Sequence, residues 1–280
     1  MFHKKSIRNL RSAWPAFFAK QAVTQRTTGW IRIPRQPNTN LHLYASNLGQ
    51  RPIRLQVRLN ELVEGRRKRS RQDQELRVPA QGVGHLSIPA PQGDTVEWVV
   101  NGPAASVVLS SVDLQFFPAD GGTLPAIYVP PSGFVTVQGA GAVRRIRRPP
   151  VRSSDSLVRS TGFVDIPQGP AAARPETRLL LSSFADQELR ANVQVSVADE
   201  SGNGRSRETL LNQTITVPAG GGRELLLDNV EGRTIEVVVR TANPLIIPSL
   251  DISIHYLADD STQSVLRLGP DDFIPVNLQS

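Results

Sequence analysis

Apolar and polar residues alternate with a period of two along much of this 280-residue chain. In Ile53–Leu59 four apolar side chains alternate with polar ones, and Val193–Val197 repeats the pattern with three valines. Such alternation places one face of a β-strand against a core and the other toward solvent. No stretch inside these regions sustains a helical period over ten residues. The pattern therefore predicts an all-β protein.

The alternating segments predict eight short strands in each half of the chain, separated by turns that contain Gly, Pro, Asn and Asp. The predicted strands of the first half are 29–33, 41–47, 53–61, 74–78, 84–88, 95–100, 106–117 and 127–129. Those of the second half are 162–166, 178–184, 190–198, 209–217, 223–227, 234–240, 246–257 and 273–276.

Several short phrases occur twice, in the same order and at nearly constant spacing. Thr95–Val100 (TVEWVV) returns as Thr234–Val239 (TIEVVV), 139 residues later, and Thr28–Pro34 (TGWIRIP) returns as Thr161–Pro167 (TGFVDIP) at an offset of 133. The offsets change only where the sequence predicts loops. We interpret the chain as a tandem duplication in which each half forms an antiparallel β-sandwich of jelly-roll or immunoglobulin-like topology, and eight strands per half favour the jelly-roll-like arrangement.

The repeat divides the chain into four parts. Residues 1–27 form a basic N-terminal arm, 28–131 the first sandwich, 132–160 a basic linker rich in Pro and Gly, and 161–280 the second sandwich. The arm has six basic residues and no acidic ones, whereas residues 161–280 have nine basic and sixteen acidic residues. A basic front and an acidic back predict attraction to a polyanion, or attraction between the front of one chain and the back of another.

The sequence offers no catalytic or cofactor motif. Cysteine is absent, and the four histidines, His3, His42, His85 and His255, do not have the spacing of a metal site. Neither a nucleophile elbow nor a phosphate-binding loop is present. We therefore predict no catalytic residues, no metal and no cofactor, and a protein that is not an enzyme.

A basic cluster is the strongest feature that the two halves do not share. It consists of the loop residues Arg66, Arg67, Lys68, Arg69 and Arg71 and the linker residues Arg144, Arg145, Arg147 and Arg148. These residues predict a site for an anionic polymer, with a solvated loop and linker as the alternative. The loop has no aromatic residue to stack on bases, so we expect no sequence-specific nucleic-acid binding.

The N-terminal arm includes a small apolar patch at Trp14, Phe17 and Phe18. The patch is far shorter than the roughly 18 apolar residues of a membrane span, and Pro15 interrupts it. We expect neither a transmembrane segment nor a conventional cleaved signal peptide. The three aromatic residues could anchor the arm in a groove of a neighbouring chain, or the arm could be disordered or fold back on its own sandwich.

Each half runs from a strand through a Ser-Asn or Ser-Ser turn, Val-Pro-Ala followed by a Gly-containing turn, and the TVEWVV or TIEVVV strand. This order resembles the jelly-roll modules of bacterial spore-surface and endospore-appendage proteins. The resemblance implies structural modules at a cell or spore surface, in which an N-terminal arm docks into a neighbouring subunit to build a fibre. Because such subunits often lock the arm with disulfides, the absence of cysteine here would require non-covalent locking.

Two classes of function follow from the sequence. The first is a non-enzymatic structural protein that forms head-to-tail homo-oligomers through its arm, as a surface layer, fibre or particle. The second is a β-sandwich module that binds carbohydrate or a polyanion. A structural protein of a virus or phage particle is a further alternative within the first class.

Overall fold

A computed structural model describes most of the two predicted sandwiches. The described residues are 23–33, 39–69, 74–89, 95–103, 112–118, 129, 133–137, 157–170, 173–198, 207–257 and 261–276.

Nine strands belong to the first half of the chain. They are β1 (Val23–Arg32), β2 (Thr39–Asn47), β3 (Ile53–Val63), β4 (Arg66–Arg69), β5 (Gln74–Val78), β6 (Gly82–Pro89), β7 (Thr95–Pro103), β8 (Val112–Pro118) and β9 (Val135–Thr136). Another nine belong to the second half: β10 (Leu157–Asp165), β11 (Ala173–Ser183), β12 (Leu189–Ala198), β13 (Arg207–Val217), β14 (Gly222–Leu227), β15 (Thr234–Thr241), β16 (Ile246–Tyr256), β17 (Ser261–Leu268) and β18 (Ile274–Pro275).

These strands form four antiparallel sheets. Sheet 1 has the order β6-β2-β8 and sheet 2 the order β4-β3-β7-β1-β9, with β5 also paired to β3. Sheet 3 has the order β14-β11-β16-β17 and sheet 4 the order β13-β12-β15-β10-β18. Sheets 1 and 2 form sandwich one, and sheets 3 and 4 form sandwich two.

Strand pairing is nested in both sandwiches, as in a jelly roll. In sandwich two β10 pairs with β15, β11 with β14 and β12 with β13, so that successive pairs alternate between the two sheets. Sandwich one repeats this arrangement with β1–β7, β2–β6 and β3–β5. The prediction of two tandem antiparallel β-sandwiches of jelly-roll-like topology is confirmed.

Each sandwich has its own hydrophobic core, built from the inward-facing residues of the alternating strands. In sandwich one Leu55 of β3 and Trp98 of β7 are fully buried, and in sandwich two Val193 and Val237 occupy the corresponding strands. The residue pair Trp98 and Val237 lies at the same position of the repeat. Valine is much smaller than tryptophan, so other side chains must fill the corresponding space in the second core, although the strand arrangement is the same.

Three segments differ from the predicted boundaries. Strand β1 begins at Val23, inside the predicted arm, and β10 begins at Leu157, inside the predicted linker. Phe134 from the same linker is 2% exposed within the first core, beside strand β9. The first residues of β1 and β10 include Thr, Ser and Arg, whose side chains bind other protein groups. Because these residues are polar, the hydrophobic pattern did not predict that they belong to strands.

Two strands lie in stretches that were predicted as loops. Strand β4 lies in the basic loop, because Glu64 and Gly65 adopt positive φ angles of 50° and 75° and form a tight two-residue hairpin turn back from β3. Strand β17 extends sheet 3 by pairing with β16. Among the described residues, no helix is long and apolar enough to cross a membrane.

The repeated Thr-Gly phrase forms the same bulge in both sandwiches. Gly29 and Gly162 have φ angles of 66° and 65°, at the point where β1 and β10 shift register against β7 and β15. The hydroxyl of Thr28 accepts the amide of Trp98, and that of Thr161 accepts the amide of Val237. The bulge thereby places Trp30 opposite Glu97 and Phe163 opposite Glu236.

The two bulge glycines give a matched test of this description. We expect Gly162→Ala to lose about 1–3 kcal/mol of unfolding free energy, because alanine is strained at positive φ and meets no other atom there. Gly29→Ala should lose more, because its Cβ would lie 3.0 Å from Pro270 Cγ of sandwich two. Urea unfolding of both variants measures the difference, and equal losses would contradict the close approach of the two sandwiches.

Candidate functional site

The outer face of sheet 2 packs against the outer face of sheet 3, and a buried carboxylate lies at this interface. Glu97 of β7 is fully buried. Its carboxylate accepts hydrogen bonds from Thr27 Oγ1 at 3.0 Å, Asn60 Nδ2 at 3.1 Å and Ser182 Oγ at 2.8 Å. Arg67 Nε supplies a fourth donor at 2.8 Å. Because Ser182 belongs to sandwich two, this carboxylate joins the two halves of the chain directly.

Arg67 binds both sandwiches at once. Its Nη1 donates to the carbonyl oxygens of Ser183 at 2.9 Å and Gly220 at 3.1 Å, and its Nη2 donates to Ser182 Oγ at 2.7 Å. The guanidinium also lies 4.2 Å from the ring centroid of Phe184. Buried charges are stable only when paired and hydrogen-bonded, and Arg67 meets both conditions.

Trp30 fills the space beside this ion pair. Its ring centroid lies 5.5 Å from the Arg67 guanidinium carbon, and its side chain is fully buried. A Cβ at Gly222 would overlap the indole Nε1, so only glycine permits this packing. The carbonyl of Trp30 also accepts a hydrogen bond from Ser249 Oγ at 2.9 Å.

A second charged group extends the interface along β1. Arg32 Nη1 lies 2.7 Å from Glu176 Oε2, and the side chains are 7% and 10% exposed. Glu176 also binds Arg178, which in turn binds Glu224. Burial alone would raise the pKa of Glu176, but Arg178 and Arg32 together lower it below its ordinary value.

Asp251 of β16 is the most perturbed acid among the described residues. It is 2% exposed, and its Oδ2 accepts the backbone amide of Arg32 at 3.0 Å. Burial raises the pKa of this carboxyl to about 6, although the charge of Arg267 and the contact with Arg32 act in the opposite direction. Glu224 adds a smaller upward contribution.

Sandwich two repeats the Glu97 arrangement on the outer face of sheet 4. Glu236 accepts Ser160 Oγ at 2.6 Å and pairs with Arg207 Nη1 at 2.6 Å. The Arg207 guanidinium lies 5.0 Å from the ring centroid of Phe163, as Arg67 lies over Trp30. Here the group is open: Phe163 is 47% exposed and the Arg207 side chain 58% exposed. One copy of the arrangement is therefore covered, and the other faces solvent.

The outer face of sheet 1 is the counterpart of the covered face of sheet 3, and it has an aromatic row. The Tyr44 ring stacks on His85 at a centroid distance of 4.6 Å, whereas the His42 ring lies edge to edge with His85, with 5.1 Å between the centroids and 6° between the ring planes. A hydrogen bond of 2.8 Å joins His42 Nδ1 and His85 Nε2. Partial burial and the neighbouring His85 lower the pKa of His42.

The structure separates the residues of the predicted polyanion site. Arg66 is exposed, whereas Arg67 is 13% exposed and is committed to Glu97 and to sandwich two. Lys68 and Arg69 lie on strand β4. The remaining basic residues (Arg71, Arg144, Arg145, Arg147 and Arg148) and the predicted assembly anchors (Trp14, Phe17 and Phe18) lie outside the described residues.

The interface residues were not predicted from the sequence. One signal was present: Glu97 and Glu236 are the only charged residues in two otherwise apolar repeat phrases, at identical positions. An acid retained inside an apolar strand of both repeats indicates a buried partner of opposite charge. No comparable pattern identifies Ser182, Glu176 or Asp251.

The part of the chain with described coordinates contains no cluster of three or more His, Asp or Glu residues that could hold a metal ion. It does contain a cleft of about 340 Å³ between the edges of sheets 3 and 4 in sandwich two. Leu210, Leu211 and Leu225 line this cleft together with Asp228 and Asn229.

Arg67 and Arg207 provide a matched pair for testing the interface. We expect Arg67→Ala to lose about 3–5 kcal/mol of unfolding free energy, since it leaves Glu97 buried without its cation. Arg207→Ala should lose less, because the Arg207 side chain is 58% exposed and its removal opens the 11% exposed Glu236 to water. Equal losses in chemical unfolding of the two variants would show that the interface does not bury the Arg67–Glu97 pair.

The raised pKa of Asp251 predicts how stability depends on pH. A folded-state pKa of about 6 lies above the ordinary value of 3.8, so the folded protein binds more protons between these values. Unfolding free energy should therefore fall by about 2 kcal/mol as pH rises from 4.5 to 7, and Asp251→Asn should remove most of this slope. Glu176 has the opposite effect on stability, because its pKa is lowered in the folded protein. Its contribution to the unfolding free energy is lost only as pH falls below about 4.5, where this carboxylate becomes protonated. Unfolding that is independent of pH between 5 and 7 would contradict the burial of Asp251.

No protein-family model matches this sequence, and no curated protein matches it. Among solved structures, the chain is similar to the N-terminal CBM22-1-CBM22-2 tandem domain of Xyn10C from Paenibacillus barcinonensis. The two are 10% identical, the match covers 81% of this chain and 78% of that chain, and the TM-score is 0.23.

Proposed function

We propose that this chain is a non-enzymatic structural protein whose copies assemble through their outer sheet faces. One observation carries the proposal: the Glu–Arg–aromatic arrangement that joins the sandwiches at Glu97 occurs again at Glu236, where Arg207 and Phe163 are exposed. An arrangement that forms an interface in one sandwich is preorganised to form one in the other. Its partner need only supply a face like that of sheet 3.

The open arrangement has the composition of a protein interface. Phenylalanine and arginine are both enriched at protein interfaces, and arginine is among the residue types that contribute most binding energy when they become buried. Glu236 already holds Arg207 in place, which lowers the conformational entropy lost on docking. Burial of the remaining exposed surface of Phe163 would add hydrophobic stabilisation that the single chain lacks.

The uneven charge of the chain favours contact between different ends. Residues 1–160 are basic overall, whereas residues 161–280 have sixteen acidic and nine basic residues. Sandwich two of one chain therefore attracts sandwich one of another, and like ends repel. The predicted arm residues Trp14, Phe17 and Phe18 would add to such assembly. A cell or spore surface remains the location that the sequence resemblance suggests.

Carbohydrate or polyanion binding is the second candidate, and the aromatic row of sheet 1 favours it. His42, Tyr44 and His85 lie side by side on an open face, with Ser46 and the exposed Ser87 on the same side of the strands. Aromatic rings together with hydroxyl groups can bind sugar rings. Tyr44 stacks on His85, however, and so covers one face of that ring, which leaves less ring surface for a sugar than an open platform would provide.

Analytical ultracentrifugation of the full chain tests the proposed assembly. Between about 1 and 500 μM we expect the weight-average mass to rise above that of the 30.6 kDa chain, in the range of moderate protein–protein affinities. Species larger than a dimer should appear and be visible by negative-stain electron microscopy. A monomer at every concentration would overturn the proposal.

Glycan arrays and salt titration distinguish the second candidate from the first. Retention of a polysaccharide by the wild type, lost in Tyr44→Ala, would favour carbohydrate binding if the same protein stays monomeric in the centrifuge. Binding to heparin that weakens steeply with salt and is lost in Arg66→Ala would instead indicate polyanion binding.

A further inference from the structure

We propose that sheet 4 of one chain docks on the outer face of sheet 1 of the next chain, in the geometry by which sheet 2 docks on sheet 3 within one chain. This inference rests on the proposed assembly and names its two surfaces. It follows from the exposed arrangement at Phe163, from the equivalence of sheets 1 and 3, and from paired exchanges of size and charge between the two contacts.

Backbone contacts establish the equivalence of sheets 1 and 3. Asn47 Oδ1 accepts the amide of Gly49, and Ser183 Oγ accepts the amide of Ala185. The amide of Gln81 donates to the carbonyl of Gly49, as the amide of Gly220 donates to that of Ala185. Gln81 and Gly220 also share a positive φ, 50° and 54°.

These contacts align the two sheets residue by residue. Strand pairing places Ser46 opposite Val83, as it places Ser182 opposite Gly222. Ser46 and Val83 of sheet 1 are thus the counterparts of Ser182 and Gly222, which contact Arg67 and Trp30 in the covered interface.

The first exchange is one of size. In the covered interface the large Trp30 packs against Gly222, where no Cβ fits. In the proposed contact the smaller Phe163 would meet Val83, which is 59% exposed. Phe163 is smaller than its counterpart Trp30, and Val83 is larger than its counterpart Gly222. The two differences in side-chain volume compensate each other, as close packing across the proposed contact requires.

The second exchange is one of charge. Arg32 of sheet 2 pairs with Glu176 of sheet 3, which is linked through Arg178 to Glu224. The counterpart of Arg32 on sheet 4 is the exposed Asp165, at the same position of the repeated phrase. The counterpart of Glu224 on sheet 1 is His85, which lies opposite Tyr44 as Glu224 lies opposite Leu180. The side that is basic in the covered contact is thus acidic in the proposed one, and the imidazole of His85 can donate a hydrogen bond to the Asp165 carboxylate.

The hydrogen-bond acceptors that bind Arg67 on sheet 3 have counterparts on sheet 1. Arg67 donates to Ser182 Oγ and to the carbonyl of Gly220. The counterparts of these acceptors on sheet 1 are the Ser46 hydroxyl and the carbonyl of Gln81. Arg207 already lies over Phe163 with Glu236 bound, so it faces the same kind of acceptor pair in the proposed contact.

The geometry of the contact determines the form of the assembly. The two surfaces are different, so a row of chains has a free sheet 1 face at one end and a free sheet 4 face at the other. A contact between unlike surfaces propagates into an open row unless its rotation closes a ring. Each contact between sheet 4 and sheet 1 of neighbouring chains would have the same geometry as the contact between sheets 2 and 3 within one chain.

Capping variants test this inference directly. Val83→Arg blocks the sheet 1 face, and Phe163→Arg blocks the sheet 4 face. Each variant alone should be monomeric, with association at least about 100-fold weaker than that of the wild type. An equimolar mixture should form a one-to-one dimer, because the sheet 4 face of Val83→Arg and the sheet 1 face of Phe163→Arg are intact. This dimer would also show that both variants fold.

Leu257→Arg, an exposed position in the turn after β16, is the control and should assemble as the wild type does.

A size-swap variant provides the complementary measurement. Val83→Gly combined with Phe163→Trp recreates the Trp30–Gly222 pair and should assemble within about 10-fold of the wild-type affinity. If the wild type assembles but the capped variants assemble equally well, the inference fails while the proposed function stands. If each capped variant alone forms dimers, the surfaces are not head to tail. If the wild type is monomeric throughout, both the inference and the proposed function fail.

Discussion

The buried carboxylate of Glu97 is the constraint on which the arrangement of the two sandwiches depends. A charged group without solvent must be paired and fully hydrogen-bonded, and the donors to Glu97 come from β1, β3, β4 and β11. Separation of the sandwiches would remove Ser182 from this carboxylate and would leave Arg67 without two carbonyl acceptors. The ion pair therefore fixes the orientation of sheet 2 on sheet 3, and Trp30 and Gly222 fit within that orientation.

Duplication gave both sandwiches the same bulge, the same buried acid and an arginine over an aromatic ring. The two arrangements now differ in their surroundings. The one at Glu97 is buried between the sandwiches, whereas the one at Glu236 is not covered by another part of the described chain. The second retains its geometry at Ser160, Glu236 and Arg207 without any contact to sandwich one in the described structure. Its differences from the first, phenylalanine for tryptophan and aspartate for arginine, match differences on sheet 1. The proposed assembly thus extends an interface that the chain already contains.

The sequence predicted the fold well because period-two alternation and an internal repeat both report on core packing. Trp98 and Val237 lie in their cores as the repeat implies. The candidate site was largely missed, because its residues are polar groups whose partners lie far away in the sequence. Arg67 reads as one cation in a basic loop, and only the three-dimensional structure brings it to Ser182, 115 residues away. Glu97 was detectable as a repeated acid in an apolar strand, but its partners were not.

A double-mutant cycle between Arg67→Ala and Ser182→Ala tests the central claim, that the Glu97 site couples the two sandwiches. The unfolding free energies of the wild type, both single variants and the double variant give the coupling energy between two residues from different halves of the chain. Contact at 2.7 Å in a buried network predicts a coupling of about 1–2 kcal/mol. Additive losses, with a coupling below about 0.3 kcal/mol, would contradict the claim.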